Sequence, residues 1–332
     1  MDILYVLLVI GVLIESIVAH NFFRRSIFDI LTNNRVDNQL KYILEENNHL
    51  IAKMKIKIYT GSSIQSATIT DIPINEPGII YESIDNTKPV AMYIHGYREH
   101  PFNESIQTVI GAYLDRGMDN ILLVDWSGLS FDNYIILIQK MKDMARILSD
   151  TINSLVELGL DLENFHLIGH SMGAQMAGFI GRYTKYELPR ITGLDPASPG
   201  FYYARAEHIN NQSARFVDIL HTDGGFYGAL GNTGTADFFA NGGKRPQPGC
   251  PLLGIPLTPT DLCNHWRSWR IYAESVKNIF SFPAVQCSSY VDYTEGRCEK
   301  NQVIYFGYLT PTNARGSYFF KTNGKSPYGR SL

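Results

Sequence analysis

Neither sign of charge dominates this sequence: 29 Lys and Arg stand against 32 Asp and Glu, and a net charge of −3 leaves no footprint for a polyanion. Nucleic acid is therefore excluded as an expected partner. Long apolar runs are also missing. The run near the start, Ile3 to Ile14, has twelve residues, short of the roughly 20 that span a bilayer. Glu15 and the small residue Ala19 follow it, so residues 1–19 are expected to be a secretion signal, with an uncleaved anchor as the alternative. Asp2 opposes the only positive charge ahead of the run, the terminal amine. Cysteine is scarce, four residues in all, and no pair has the C-x-x-C spacing of a redox or zinc site. No internal repeat, low-complexity tract or Pro-rich linker calls for a second domain, so residues 20–332 are expected to form one.

What is present suits an exported globular enzyme: 45% of the residues are hydrophobic and 18% charged. The cysteines fall into two close pairs, Cys250 with Cys263 and Cys287 with Cys298. Four cysteines allow three connectivities. Local pairing would close loops of 12 and 10 residues, each worth about 3 kcal/mol in the chain-entropy description. Asn-x-Ser sequons at Asn103 and Asn211 fit the same compartment as candidate glycosylation sites.

Five short apolar runs rich in β-branched residues read as buried strands: 90–94, 121–124, 165–168, 191–194 and 216–220. A peripheral hairpin is expected over Lys55 to Thr70, and the stretch before Lys53 is left without an assignment. Leu137, Met141, Met144, Leu148, Ile152 and Leu155 recur at steps of three and four and mark a helix between the second and third runs. Alternating strands and helices predict an α/β fold with a mostly parallel central sheet flanked by helices. His95, Asp125, the Gly169–Ser171 turn, Asp195 and His221 follow the strands, where open α/β sheets place their sites.

Gly169-His170-Ser171-Met172-Gly173 joins the strand at 165–168 to the small, helix-compatible Ala174-Gln175-Met176-Ala177. This is the G-x-S-x-G nucleophile elbow in its strand-turn-helix setting, with Ser171 as nucleophile. Such folds present the acid and then the histidine after the serine, which points to Asp195 before Pro196. Asp125 precedes the serine, and Asp223 remains a rival one strand further on. Among the histidines, His265 sits beside Cys263 in what reads as a stapled loop ahead of a helix at 269–276, with His221 as its rival for the base. The glycine turn at Tyr93-Ile94-His95-Gly96-Tyr97 would donate an oxyanion amide from Tyr97, alongside Met172 after the serine.

At these residues the sequence resembles the pancreatic lipase family, which also holds sn-1 phospholipases and insect yolk proteins. Further matching stretches are Leu122–Trp126, Thr192–Ala197, Phe216–Asp218, His221–Asp223, Asp237–Phe239, Asn241–Gly243 and Cys263–His265, spread in family order from about Lys55 to Gly329. The resemblance implies the α/β-hydrolase fold, the triad Ser171, Asp195 and His265, and ester hydrolysis through an acyl-enzyme. It also implies a lid between Cys250 and Cys263. Here the lid has 12 residues, with Leu252, Leu253, Ile255, Pro256 and Leu257 as an apolar cluster, shorter than in triglyceride lipases of the pancreatic type. No sequence after Leu332 supplies the family's C-terminal β-sandwich, so a colipase-like partner is not expected. A calcium site of some relatives falls near Glu207 to Ala214, where Glu207 alone keeps a carboxylate, and no metal or cofactor is expected. The expected partner is a lipid substrate at a membrane or lipid-droplet surface. Phospholipase A1-like preference leads, a triacylglycerol lipase or galactolipase is the alternative, and a non-catalytic, yolk-protein-like lipid-binding or storage protein is the reading from another class.

Overall fold

The computed structural model describes residues 36–203 and 206–330. The expected secretion signal at 1–19 lies outside them. The chain divides at Ala52 into two units. In the first, the stretch left unassigned by sequence contains helix α1 (Val36–Ala52). No described helix is long and apolar enough to cross a membrane.

The second unit, Lys53–Leu332, holds an eleven-stranded sheet. Strands β1 (Lys55–Thr60) and β2 (Thr68–Pro73) form the expected antiparallel hairpin, in register from Lys55 opposite Pro73 to Thr60 opposite Thr68. The central strands are β3 (Val90–Ile94), β4 (Asn120–Asp125), β5 (Phe165–His170), β6 (Arg190–Leu194), β7 (Phe216–His221) and β8 (Ala236–Ala240). Strands β9 (Pro283–Gln286), β10 (Val303–Tyr305) and β11 (Gly316–Phe320) complete it. The order is β10-β9-β11-β8-β7-β6-β5-β3-β4-β1-β2, parallel from β4 through to β11 and antiparallel at both ends. β9 and β10 escape a reading by pattern because they have four and three residues, too few to show alternation.

Among the described residues, the long helices that cover the sheet are α2 (Glu104–Arg116), α3 (Tyr134–Glu157), α4 (Met172–Tyr183) and α5 (Pro259–Lys277). Side chains alternate across a strand. Accordingly Ala91, Tyr93, Leu123, Ile168 and Leu220 join the core under α2 and α5, which pack together. The intervening Met92, Leu122, Leu167, Ile191 and Val217 are equally buried on the other face, where α3 packs on α4 and α4 on β5 and β6.

The register places the site. Ile94 lies opposite Gly169, His170 opposite Leu194, and Leu194 opposite Leu220. The polar residues at the strand ends therefore line up along one edge of the sheet, with β5 at its centre.

Candidate active site

The elbow is built by close backbone packing. A Cβ at Gly169 would come within 2.6 Å of Ala174 Cα, and one at Gly173 within 2.5 Å of the His95 carbonyl oxygen. Ser171 between them adopts φ 55° and ψ −120°, a backbone region a side chain rarely occupies. Two hydrogen bonds hold it there: Ser171 N–H donates to Leu194 O at 3.0 Å, and Ala197 N–H donates to Ser171 O at 3.1 Å. These bonds flank Asp195, so the turn carrying the serine and the loop carrying the acid are fastened on both sides of the carboxylate.

Asp195 is fully buried and its oxygens are fully engaged. Oδ1 accepts the Thr222 and Asp223 N–H groups at 2.8 and 3.1 Å, and Oδ2 lies 2.6 Å from His265 Nδ1. A buried carboxylate facing a ring nitrogen at that distance fixes the tautomer: Nδ1 carries the proton and Nε2 is left to accept. The ring centroid of His265 is 4.8 Å from that of His170, so the imidazole lies beside the residue that precedes Ser171. Gly228, which sequence reasoning missed, lets the chain pass beside the acid; a Cβ there would fall 2.5 Å from Asp195 Oδ2.

His265 differs in setting from the sequence expectation. It lies inside α5, which begins at Pro259 rather than near Trp269. The first turns bury Asp261, Asn264, His265 and Ser268, which are polar, so the apolar period that identifies a helix is absent there although the helix is packed. Each is held by hydrogen bonds instead: Asn264 Oδ1 accepts Gln247 N–H at 2.7 Å, and Ser268 Oγ–H donates to His265 O at 2.8 Å.

The rivals are engaged elsewhere. Asp125 faces Lys57 at 3.6 Å and accepts Ser127 N–H. His221 is sealed between Ala229 O and Asp237 Oδ1, at 3.0 and 2.8 Å. Asp223 does approach the pair: one ligand atom each from Asp195, Asp223 and His265 lie within 4.8 Å of one another. Its oxygens, however, belong to Arg245 at 2.6 and 2.7 Å. Burial pushes the Asp223 carboxyl up, the Arg245 hydrogen bonds pull it back, and the Asp195 charge adds to the rise, leaving it at about 6.

Beyond β3 the candidate oxyanion loop is pinned at both sides of Tyr97. Gly96 N–H donates to Glu99 Oε2 at 2.6 Å and Arg98 N–H to Ser130 O at 2.9 Å. Met172 is the first residue of α4, whose leading amides have no acceptor within the helix. Glu99 is a second residue without a sequence signal. Burial alone would raise its carboxyl, but the His170 ring 3.6 Å away, His95 and the Ser105 hydroxyl outweigh burial and hold it at about 2. Burial keeps the His170 and His95 rings below their ordinary range, with Glu99 opposing in both cases.

The segment expected as a lid, Pro251 to Leu262, lies between Cys250 and Cys263, which form a disulfide with Cα atoms 5.6 Å apart; Cys287 and Cys298 form the other at 5.7 Å. Leu252, Leu253, Ile255 and Leu257 are 53, 63, 75 and 49% exposed, and Pro256 is exposed as well. The apolar cluster thus faces outward. Of the sequons, Asn211 is exposed, while Asn103 is half-buried and accepts His100 N–H at 2.7 Å. Glu207, the remaining carboxylate of the calcium stretch, is paired with Lys142 at 2.6 Å.

The family described as Lipase matches residues 29–328. Lipase member H-B of Xenopus laevis is 32% identical over 296 residues, covering 83% of this chain and 63% of that protein. Lipase member H of Rattus norvegicus is 35% identical over 223 residues, covering 65% and 48%. Phospholipase A1 member A of Rattus norvegicus is 34% identical over 209 residues, covering 62% and 46%. The chain spans about half to two thirds of the length of these curated relatives. The family match over most of the sequence agrees with the mostly parallel, helix-flanked sheet and the elbow at the end of β5, and the chain belongs to the lipase family.

Proposed function

We propose that this chain hydrolyses carboxylic esters of lipids through an acyl-serine intermediate, with phospholipase A1-type substrates preferred. The observation that carries the reading is the buried 2.6 Å contact of His265 Nδ1 with Asp195 beside a strained Ser171. With Nδ1 protonated, His265 Nε2 takes the Ser171 hydroxyl proton as Oγ attacks the ester carbonyl. Tyr97 and Met172 N–H groups receive the oxyanion. His265 then returns the proton to the leaving alcohol, activates water, and the fatty acid is released. Asp195 stays ionised throughout, stabilising the imidazolium.

Two features support a polar-headed lipid. The lid is short, so little apolar surface covers the cleft, and one relative carries the name Phospholipase A1 member A. The outward Leu252, Leu253, Ile255, Pro256 and Leu257 would meet a membrane or lipid-droplet surface. Two disulfides and the sequons at Asn103 and Asn211 support an extracellular, glycosylated protein. Fatty acid release from phosphatidylcholine and from a long-chain triglyceride, measured with and without Ser171→Ala, tests the reading. The substitution should remove turnover by on the order of a million-fold, and phosphatidylcholine should be the faster substrate. Release that survives it would defeat the mechanism; a faster triglyceride rate would defeat the preference.

A further inference from the structure

Arg245 follows β8 and has no part in the chemistry above, yet its side chain is 2% exposed. A guanidinium keeps its proton in a protein, so its burial demands complete pairing. Nε and Nη2 donate to Asp223 Oδ1 and Oδ2 at 2.6 and 2.7 Å. Nη1 donates to Asp261 Oδ1 at 3.0 Å, and Nη2 to the Asp261 carbonyl at 3.2 Å. Each of these two aspartates is linked to one member of the Asp195–His265 contact. Asp223 N–H is one of the donors that hold Asp195 Oδ1. Asp261 is on α5 four residues before His265, one turn along the same helix face.

We propose that Arg245 is a positioning residue for ester hydrolysis: it clasps the helix carrying the base to the loop that holds the acid, and balances carboxylates that would otherwise crowd the imidazole. This inference rests on the proposed function, in which His265 is the base. The groups facing His265 are Asp195 after β6, Asp223 and Tyr227 after β7, and His170 at the end of β5, with Glu99 behind His170. Tyr227 in turn donates its hydroxyl to Asp261 Oδ2 at 2.5 Å. Arg245 supplies the positive charge set against Asp195, Asp223 and Asp261. Loss of that positive charge favours imidazolium. Since only the neutral ring can accept the serine proton, the acidic limb of activity moves to higher pH.

The test compares wild type, Arg245→Met, Arg245→Lys and the neutral triple variant Arg245→Met/Asp223→Asn/Asp261→Asn on a soluble short-chain ester. The pH dependence of Ser171 modification by a phosphonate ester gives a readout that needs no turnover. Arg245→Met should lower kcat about tenfold or more, within the roughly 100- to 10,000-fold worth of the base itself, with KM little changed and the acidic limb displaced upward. Arg245→Lys should keep the limb but lose kcat, because an ammonium cannot span both carboxylates as the planar fork does. The triple variant should bring the limb back to its wild-type position while kcat stays low. An Arg245→Met variant with wild-type kcat and limb, or a triple variant whose limb remains displaced, overturns the proposal. Wild-type protein that neither hydrolyses the ester nor reacts at Ser171 would instead defeat the proposed function, so the two failures are separable.

Discussion

Gly173 leaves no room for a side chain, since its Cβ would meet the His95 carbonyl oxygen at 2.5 Å in a backbone that cannot retreat from the sheet. Gly173→Ala should therefore cost on the order of 3 kcal/mol as overpacking, read as a lowered urea midpoint together with lost ester hydrolysis; an unchanged midpoint would show that the elbow tolerates a methyl group. Glu99 supplies a pH-dependent prediction. Its carboxyl is held at about 2 against an ordinary 4.5, so the folded state favours the ionised form. That contribution is complete above about 4.5 and lost as the pH falls toward 2, on the order of 3 kcal/mol in all. Glu99→Gln should flatten the acid dependence of the urea midpoint across that window, and a dependence like that of wild type would contradict it. Ser171, Asp195 and His265 are legible in the sequence because motif spacing and chain order single them out. Glu99, Gly228 and Arg245 are not, because their partners arise only when segments distant in sequence meet: Gly228 beside Asp195, and Arg245 between Asp223 and Asp261.

Helix α5 shows how a well-packed element can be hidden. Its second half has apolar residues at Trp269, Ile271, Tyr272, Ala273 and Val276 and is visible, whereas its first half buries hydrogen-bonded polar groups and reads as loop. Strands β3 to β7 of the parallel core are legible for the opposite reason, being largely apolar runs buried on both faces, whereas the parallel β8 and β11 have no assignment in the sequence reading. The Cys250–Cys263 bridge ties the start of the proposed lid to this polar half of α5. Replacing both cysteines by serine should lower stability by about 3 kcal/mol, visible as a shifted urea midpoint; no shift would mean that the surrounding hydrogen bonds suffice. The proposed lid presents Leu253 and Ile255 at 63 and 75% exposure. Replacing both with serine removes two apolar anchors worth about 1.5–3 kcal/mol each when fully buried. Partitioning onto phosphatidylcholine vesicles should fall by on the order of tenfold or more, and unaltered partitioning would show that this segment does not meet the lipid.

Across the whole molecule, the sheet order puts β5 among parallel neighbours and brings the ends of β3, β5, β6 and β7 to one edge. Loops leaving those ends can converge on Ser171 while the strands behind them stay buried and rigid, as open α/β sheets require of a site. The antiparallel additions at both ends, β1–β2 and β9–β10, extend the sheet without touching that edge's order. A burst experiment tests the central claim most directly. The protein is mixed with a slowly hydrolysed aryl ester, quenched in acid, and its peptides are weighed. One acyl group per chain on the peptide containing Ser171, absent from His265→Ala at the same time point, is the predicted result. Ester hydrolysis without any acyl group on Ser171, or acylation that proceeds at full rate in His265→Ala, would contradict it.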